Sequence, residues 1–269
     1  MRRYGMLRTI ERGVLKKGVV TSNYPKEGYV PYDGHQGMPA IDPGRCRLHR
    51  TCAMVCPTGA IIAEGGSMRV DLGACIFCGE CSRSCPEGAI SITKGFELAS
   101  RTREGLIIPP TIGGRQSVEA LGKRLEAKVM KAFGHSLSIR EVDAGSCNGC
   151  EVEVNSLTNA VHDIERFGLH IVASPRHADA LLVTGPVTRN MEHALLQTYK
   201  ATPDPKMVIA MGACACSGGI FKDCYATSNG VGAVLPVDVY IPGCPPRPQA
   251  IIYAFMVALD KVQARSTPK

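Results

Sequence analysis

Residues 75–90 read CIFCGECSRSCPEGAI, and upstream residues 46–61 read CRLHRTCAMVCPTGAI. The two stretches repeat one unit, with cysteine spacing and a CPxGAI tail in step. In the later copy Cys75, Cys78, Cys81 and Cys85-Pro86 follow C-x2-C-x2-C-x3-C-P. Three thiolates so spaced bind one face of an iron–sulfur cubane, and the fourth, held by the turn at proline, reaches across to a second cluster. The pairing predicts one cluster on Cys56, Cys75, Cys78 and Cys81. It predicts another on Cys46, Cys52 and Cys85, with one corner still to fill.

That corner falls at His49, where the earlier copy lacks its second cysteine. Imidazole can replace thiolate at iron, and being neutral it leaves a cluster less negative and easier to reduce. The alternatives are a solvent-facing histidine beside a three-iron cluster, or water at the open corner. Arg45, Arg47 and Arg50 add positive charge around it, which favours a reduced, more negative cluster. Zinc is the rival metal, but structural zinc sites prefer separated CxxC pairs to a paired four-ligand run.

Around this repeat lies a chain of 269 residues with 13 cysteines. That length buries a full core without disulfides. Arg2-Arg3 is followed by no apolar signal region, so the cysteines are expected to bind metal rather than form an exported disulfide framework. Apolar residues at 45% and charged residues at 20% exclude wholesale disorder. No apolar run is long enough to predict a membrane span. Aromatics at 5% and the lack of Trp leave few platforms for stacking nucleic-acid bases, and no nucleic-acid partner is expected. The net charge is +7, and residues 1–20 set six basic residues against Glu11 alone. With Met6, Leu7, Ile10, Val14 and Leu15 at helical spacing, this reads as a basic arm for a membrane surface or a partner subunit.

The remaining cysteines fall between 147 and 244. Before them, residues 101–116 are rich in Pro, Gly and Arg, a linker composition, and residues 117–133 have a helical period ending near Gly134. Four units follow: a basic arm over 1–35, a two-cluster domain over 36–98, a linker with a helix over 99–135, and an α/β domain over 136–269. In the last unit strands are expected at Leu137–Val142, Leu169–Ala173, Ala180–Thr184, Met207–Met211 and Val237–Ile241. Helices are expected at Glu151–Phe167, Asn190–Ala201 and Pro248–Ala264. This alternation implies a flavodoxin-like parallel sheet covered on both faces. Cys147 and Cys150 then follow the first strand, Cys214 the fourth and Cys244 the fifth. All four lie at strand carboxyl ends, where open α/β sheets place their ligands. A single [4Fe-4S] cluster is the economical reading, with Cys216 competing with Cys214 as third ligand and Cys224 spare. Glu151 reads first as a first-turn helix acid, and alternatively as an interface acid that assists proton movement.

Four blocks carry a resemblance: DAGSCNGCEVEV (143–154), SPRHADALLVTGPVT (174–188), PDPKMVIAMGACACSGGIF (203–221) and VDVYIPGCPPRP (237–248). Together they resemble the small subunit of membrane-bound energy-converting [NiFe] hydrogenases, of the kind found in formate hydrogenlyase and homologous to the small subunit of complex I. The resemblance implies proximal [4Fe-4S] ligands at Cys147, Cys150, Cys214 and Cys244, and favours Cys214 over Cys216. VLKKGVVTSNYP (14–25) and GACIFCGEC (73–81) are similar to the two-cluster ferredoxin subunit of the same complexes. The resemblance thus implies an α+β two-cluster ferredoxin-like domain joined to an α/β flavodoxin-like domain. It implies three iron–sulfur clusters, all [4Fe-4S], that relay electrons between a redox partner at the ferredoxin domain and a [NiFe] hydrogenase-type large subunit. Other subunits of a membrane complex are implied, with the chain peripheral on the cytoplasmic face.

Two rivals stay within this group. Complex I-type subunits of quinone- or ferredoxin-linked oxidoreductases usually have adjacent cysteines where this chain has Cys147-Asn148-Gly149-Cys150. A related complex whose large subunit lacks nickel is the other. A zinc-dependent nucleic-acid module is the rival from a different class, opposed by the paired cysteine runs.

Overall fold

The computed structural model describes residues 19–25, 27, 29–108 and 136–265. Most of the basic arm and the helix expected over 117–133 lie outside the described residues.

The N-terminal part is built twice from one pattern. Strand β1 (Pro39–Ile41) leads into the first cysteine run and its short helix α1 (Thr51–Met54). A hairpin follows, β2 (Ile61–Glu64) and β3 (Ser67–Asp71), then the second run with α2 (Glu80–Arg83) and β4 (Ile90–Ile92). β1 pairs with β4 antiparallel, so the beginning and end of the unit close on each other. Each short helix starts from a left-handed residue, Arg50 at φ 62° and Gly79 at φ 77°. Leu48 and Phe77 match in the same way, at φ 57° and 56°. Ile41, Ile61, Met68, Val70, Leu72 and Ile90 fill the core beneath both runs.

Part of the stretch with linker composition is structured. Residues 104–106 form a single 3-10 turn, and β5 (Ile107–Ile108) adds a third strand beside β3.

The C-terminal part is a five-stranded sheet with a parallel register throughout. Its strands are β6 (Leu137–Asp143), β7 (Leu169–Ile171), β8 (Ala180–Thr184), β9 (Met207–Met211) and β10 (Val239–Ile241). Their spatial order is β7-β6-β8-β9-β10. That is the flavodoxin-like order, which reverses direction between β6 and β8 and opens a crevice at the carboxyl ends there. β8 and β9 are buried at every position, as expected of central strands covered on both faces. Alternate residues point to opposite faces. Ile139, Leu182 and Ile209 therefore meet α6 (Pro248–Arg265) through Ile251 and Phe255. Leu181, Val183 and Val208 meet α4 (Arg189–Ala201) through Leu195.

One helix is shorter than its sequence suggests. α3 covers Gly149–Leu157, and a separate 3-10 turn covers Ile164–Phe167, in place of one helix over Glu151–Phe167. The Asn159 side chain accepts hydrogen bonds from the N–H groups of Val161 (2.9 Å) and His162 (3.0 Å). A side-chain acceptor that turns the chain in this way competes with the helix ladder.

The two parts are joined by specific contacts. Arg103 donates to both carboxylate oxygens of Asp71 at 2.6 Å and, through Nε, to the Cys216 carbonyl at 3.1 Å. Ser217 Oγ donates to the Gly73 carbonyl at 3.0 Å. Ser100 and Tyr240 exchange both backbone bonds, at 3.0 and 2.8 Å. On the other side of the molecule Tyr24 and Phe96 belong to the core of the parallel-sheet part.

The Arg103–Asp71 pair is better shielded than the Arg69–Glu64 pair. Its side chains are 26% and 14% exposed, against 39% and 68% for Arg69–Glu64. Arg103→Ala should lower unfolding stability by about 2 kcal/mol, because the half-buried Asp71 carboxylate loses its bidentate cationic partner. Arg69→Ala should shift it by under about 0.5 kcal/mol. Urea unfolding followed by circular dichroism measures both, and equal midpoints would refute the ranking.

Candidate metal centres

Three of the cysteine-bearing loops, those that open on Cys46, Cys75 and Cys147, begin with the same device. Asp42, Asp71 and Asp143 each stand four residues before a cysteine with glycine between them: Asp42-x-Gly44-x-Cys46, Asp71-x-Gly73-x-Cys75 and Asp143-x-Gly145-x-Cys147. In each, the Asp Oδ1 accepts the glycine N–H, at 2.9, 3.0 and 2.8 Å respectively. This Asx turn sends the chain back toward the loop interior. The recurring D-x-G-x-C was present in the sequence, but cysteine spacing alone does not draw attention to it.

The structure brings the predicted residues together in three groups. Cys46, Cys52, Cys85 and His49 line one small cavity, while Cys56, Cys75, Cys78 and Cys81 line another. In the second group burial pushes the Cys75 thiol up to about 12, with repulsion from Cys81, Cys56 and Cys78 adding to it. Cys81 is pushed up to about 11, by burial and then by Cys56, Cys78 and also Cys52 across the divide. Burial also raises Cys52, with Cys85 and Cys46 contributing.

The third group lies at the carboxyl ends of the parallel strands. Cys147 precedes α3 and Cys150 lies in its first turn, Cys214 is in α5 (Gly212–Ser217), and Cys244 follows β10. Cys150 is raised by burial, then by Glu151 and by Cys214, Cys244 and Cys147. Cys214 is pushed up to about 11 by burial, with Cys244 and Cys147 contributing. Cys244 is raised by burial, by Cys147 and by Cys78 of the second group.

These residues fit iron–sulfur clusters on three observations. Thiols held up by burial and mutual repulsion become good ligands once a cationic metal offsets both effects. Backbone N–H groups point at the sulfurs: Ala60 to Cys56 Sγ at 3.2 Å, Ala89 to Cys85 at 3.3 Å, and Phe77 to Cys75 at 3.3 Å. The first two occupy equivalent places in the repeat. Third, the backbone is pared down beside the C-terminal group. Gly212 has φ +90°, and a Cβ there would lie 2.7 Å from Cys150 Sγ. Among the described residues no group of three or more His, Cys, Asp or Glu is arranged to hold a single metal ion.

The leftover cysteines are placed apart. Two residues along a helix is a turn of about 200°, so Cys216 faces away from Cys214. It is buried, joins the core beneath the cysteine runs, and its Sγ lies 3.6 Å from the Ile241 carbonyl. Cys224 is exposed. His49 is 46% exposed, with Nε2 4.0 Å from Glu87 Oε1. Glu151 is buried in the first turn of α3, and Thr184 Oγ1 donates to its Oε1. Burial and that neighbouring carboxylate push Glu141 up to about 7.

A cavity of about 650 Å³ touches the loop of the second group and Cys244 of the third. Phe77 and Cys244 line it, together with Tyr29, Phe96, Glu153 and Arg247. The Arg247 guanidinium lies 4.6 Å from the Tyr29 ring centroid and 5.1 Å from that of Phe96, an arrangement that screens its charge from water. Sequence reading missed Arg247, because cation–π partners distant in sequence leave no local pattern.

Comparison with known proteins bears on these loops. Residues 147–258 match the family model described as NADH ubiquinone oxidoreductase, 20 Kd subunit, and residues 68–91 match a 4Fe-4S binding domain. Formate hydrogenlyase subunit 7 of Escherichia coli is 44% identical over 62% of this chain, which spans 65% of that relative's length. The "Probable membrane-bound hydrogenase subunit mbhJ" of Pyrococcus furiosus is 47% identical over 52% of this chain and 86% of its own. An NADH-quinone oxidoreductase subunit of Geotalea daltonii is 50% identical over 42% of this chain and 66% of its own. With a 4Fe-4S binding domain ahead of its parallel sheet, the chain belongs to the iron–sulfur family that joins the NADH ubiquinone oxidoreductase 20 kDa subunit to the small subunits of energy-converting hydrogenases.

Proposed function

We propose that this chain is the electron-relay subunit of a membrane-bound [NiFe] hydrogenase-type complex, carrying three [4Fe-4S] clusters. Its organisation is a basic arm (1–35), a two-cluster ferredoxin domain (36–98), a connecting segment (99–135) and a hydrogenase small-subunit-like domain (136–269). Cys46, Cys52 and Cys85 hold the first cluster with His49 at the fourth corner. Cys56, Cys75, Cys78 and Cys81 hold the second, and Cys147, Cys150, Cys214 and Cys244 the third.

The observation that carries this reading is the order of the three groups. Cys52 of the first lies within charge-repulsion range of Cys81 of the second, and Cys78 of the second within range of Cys244 of the third. Bound by these cysteines, a cluster at each group would supply a one-electron redox centre. The chain's own part is to space and insulate these centres. The N–H donors at Cys56, Cys75 and Cys85 favour the more negative reduced state. The Arg103 bridge fixes the second group relative to the third.

Partners follow from exposure. Cys147 and Cys244 are exposed, as are Val152 beside Cys150 and Ile220 and Phe221 just beyond Cys214. An apolar rim around a half-open centre suits a large subunit that brings its active site to the third cluster. A redox partner meets the first cluster, and further subunits hold the assembly on the cytoplasmic face of the membrane. Among the described residues no helix is long and apolar enough to cross a membrane, so attachment would be peripheral. The second reading, a complex I-type quinone or ferredoxin oxidoreductase, is favoured by the 50% identity to the NADH-quinone oxidoreductase relative. The CNGC spacing favours the hydrogenase type. Nickel in the purified complex decides between them, and a nickel-free complex with full iron would remove the hydrogenase reading.

Three cubanes require about twelve iron atoms per chain. Anaerobic iron and sulfide analysis with EPR should find them in three reducible centres. A fully loaded preparation with four irons would refute the relay.

Cys214→Ser should cost the third centre its spectrum, whereas Cys216→Ser should keep all three centres and lower only stability. Reversed phenotypes would move the third ligand to Cys216. His49→Cys should still assemble a cluster but lower the potential of the first centre, since a thiolate adds negative charge. Redox titration with the second centre as internal reference measures this. An unchanged potential in both His49→Cys and His49→Ala would take His49 out of the ligand set.

A further inference from the structure

The cavity that touches Phe77 and Cys244 is lined by side chains for which the relay has no use. Its volume of about 650 Å³ is that of a small-molecule pocket, and Tyr29, Phe77, Phe96 and Pro245 give it apolar surface. Among its lining residues Arg247 is the one full cation and Glu153 the one acid. Six buried side-chain nitrogen or oxygen atoms among the described residues lack a hydrogen-bond partner. Three of the six are nitrogens of residues that line this cavity: Arg247 Nη1, His35 Nε2 and His162 Nδ1. They come from three separate segments, ahead of β1, after α3 and after β10. A buried donor without an acceptor costs stability, and three around one space call for a shared acceptor.

Arg247 is held ready for that acceptor. Its Nε donates to Gln249 Oε1 at 3.0 Å, and its guanidinium lies 4.6 Å from the Tyr29 ring centroid and 5.1 Å from that of Phe96. Contact with ring faces leaves the N–H groups at the guanidinium edge free to donate. Burial and the Arg247 charge hold both imidazoles below the usual histidine range, with Arg166 adding at His162. A neutral imidazole still donates from one nitrogen. Burial pushes the Glu153 carboxyl up, against the pull of Arg247. Among the described residues neither Glu153 nor Arg247 takes part in an ion pair.

We propose that this cavity binds a small aryl or alkyl monocarboxylate, whose carboxylate is received by Arg247, His35 and His162 and whose apolar body lies against Tyr29, Phe77 and Phe96. The two oxygens of a carboxylate offer about four acceptor sites, enough for three donors. One negative charge balances one guanidinium, whereas a dianionic phosphate is opposed by Glu153. None of these side chains is among the cluster ligands assigned above, so the inference stands apart from the relay reading.

The test uses the full cluster-loaded chain and isothermal titration calorimetry, with benzoate and hexanoate as probes and benzamide as the uncharged isostere of benzoate. Benzoate should bind at one site, and benzamide about tenfold more weakly, because it brings no charge to Arg247. Arg247→Gln should weaken benzoate about tenfold, and His35→Phe or His162→Phe about threefold each. Glu153→Gln should tighten benzoate about threefold, since an opposing charge is removed. A gain in affinity is a result that damage to the fold does not produce, so this variant tests the site even where Arg247→Gln fails to fold. Saturating benzoate should also raise the unfolding midpoint. Equal affinity for benzoate and benzamide would overturn carboxylate recognition and leave an apolar cavity. Unchanged benzoate binding in Arg247→Gln, with iron content intact, would overturn the location. No binding of benzoate or hexanoate at millimolar concentration would overturn the site itself, and displacement of benzoate by equimolar inorganic phosphate would overturn the class of ligand. Binding should persist in the assembled complex; binding by the chain alone and not by the complex would overturn a free ligand in favour of an acidic group on another subunit.

Discussion

Asp71 satisfies three demands with one carboxylate. Its Oδ1 accepts the N–H groups of Gly73 and Ala74, turning the chain into the second cysteine run. Both oxygens receive Arg103, and Arg103 in turn donates to the Cys216 carbonyl on α5, the short helix that carries Cys214. A single half-buried ion pair thus ties the loop holding Cys75 and Cys78 to the helix holding Cys214. Bidentate arginine–carboxylate pairs are rigid in plane as well as distance. Gly73 follows from that pair, since a Cβ there would lie 2.8 Å from Arg103 Nη1. This contact helps set the spacing between the second and third groups of cysteines, beside the packing of Cys216 and Tyr240 on the core of the N-terminal part.

The cysteines themselves resist ionisation in the metal-free fold. Burial and mutual repulsion raise the thiols of Cys75 and Cys81 in the second group and of Cys150 and Cys214 in the third, so without a cluster they stay protonated and add no bond to the fold. The supporting framework therefore has to be strong without them. In the parallel-sheet part it is, with Leu181, Leu182 and Ile209 wholly buried in central strands. The N-terminal part has shorter strands and a core of few residues, and it depends more on its Asx turns and on its contact with the larger part. Coupling between cluster assembly and folding should be concentrated there.

Much of this was legible in the sequence. Strands β6, β8 and β9 appear as apolar runs bounded by turn residues, and their alternation with helices yields the flavodoxin-like sheet. Their carboxyl ends explain the grouping of Cys147, Cys150, Cys214 and Cys244 without reference to any relative. Helix α3 was overestimated because Asn159 ends it by side-chain hydrogen bonds, whereas the apolar period continues through Ile164 and Phe167. The role of Cys216 was ambiguous because spacing cannot tell which side of a short helix faces a loop and which faces a neighbouring domain. The Arg103–Asp71 pair and the stacking of Arg247 on Tyr29 and Phe96 join residues far apart in the chain, and no local pattern encodes them.

Duplication explains how one loop design serves two kinds of contact. Both runs need the same left-handed residues and the same N–H donors, because both wrap sulfur in the same way. Those constraints fall on backbone and cysteine positions and leave the outward side chains free to differ. Phe77 and Ile76 use that freedom to face the parallel-sheet part, where a permanent neighbour in the same chain favours apolar contact. Arg47 and Arg50, with Leu48 between them, are exposed and put charge where the inner copy has Ile76 and Gly79. Charge at one loop and apolar contact at the other thus distinguish two copies that share one backbone design.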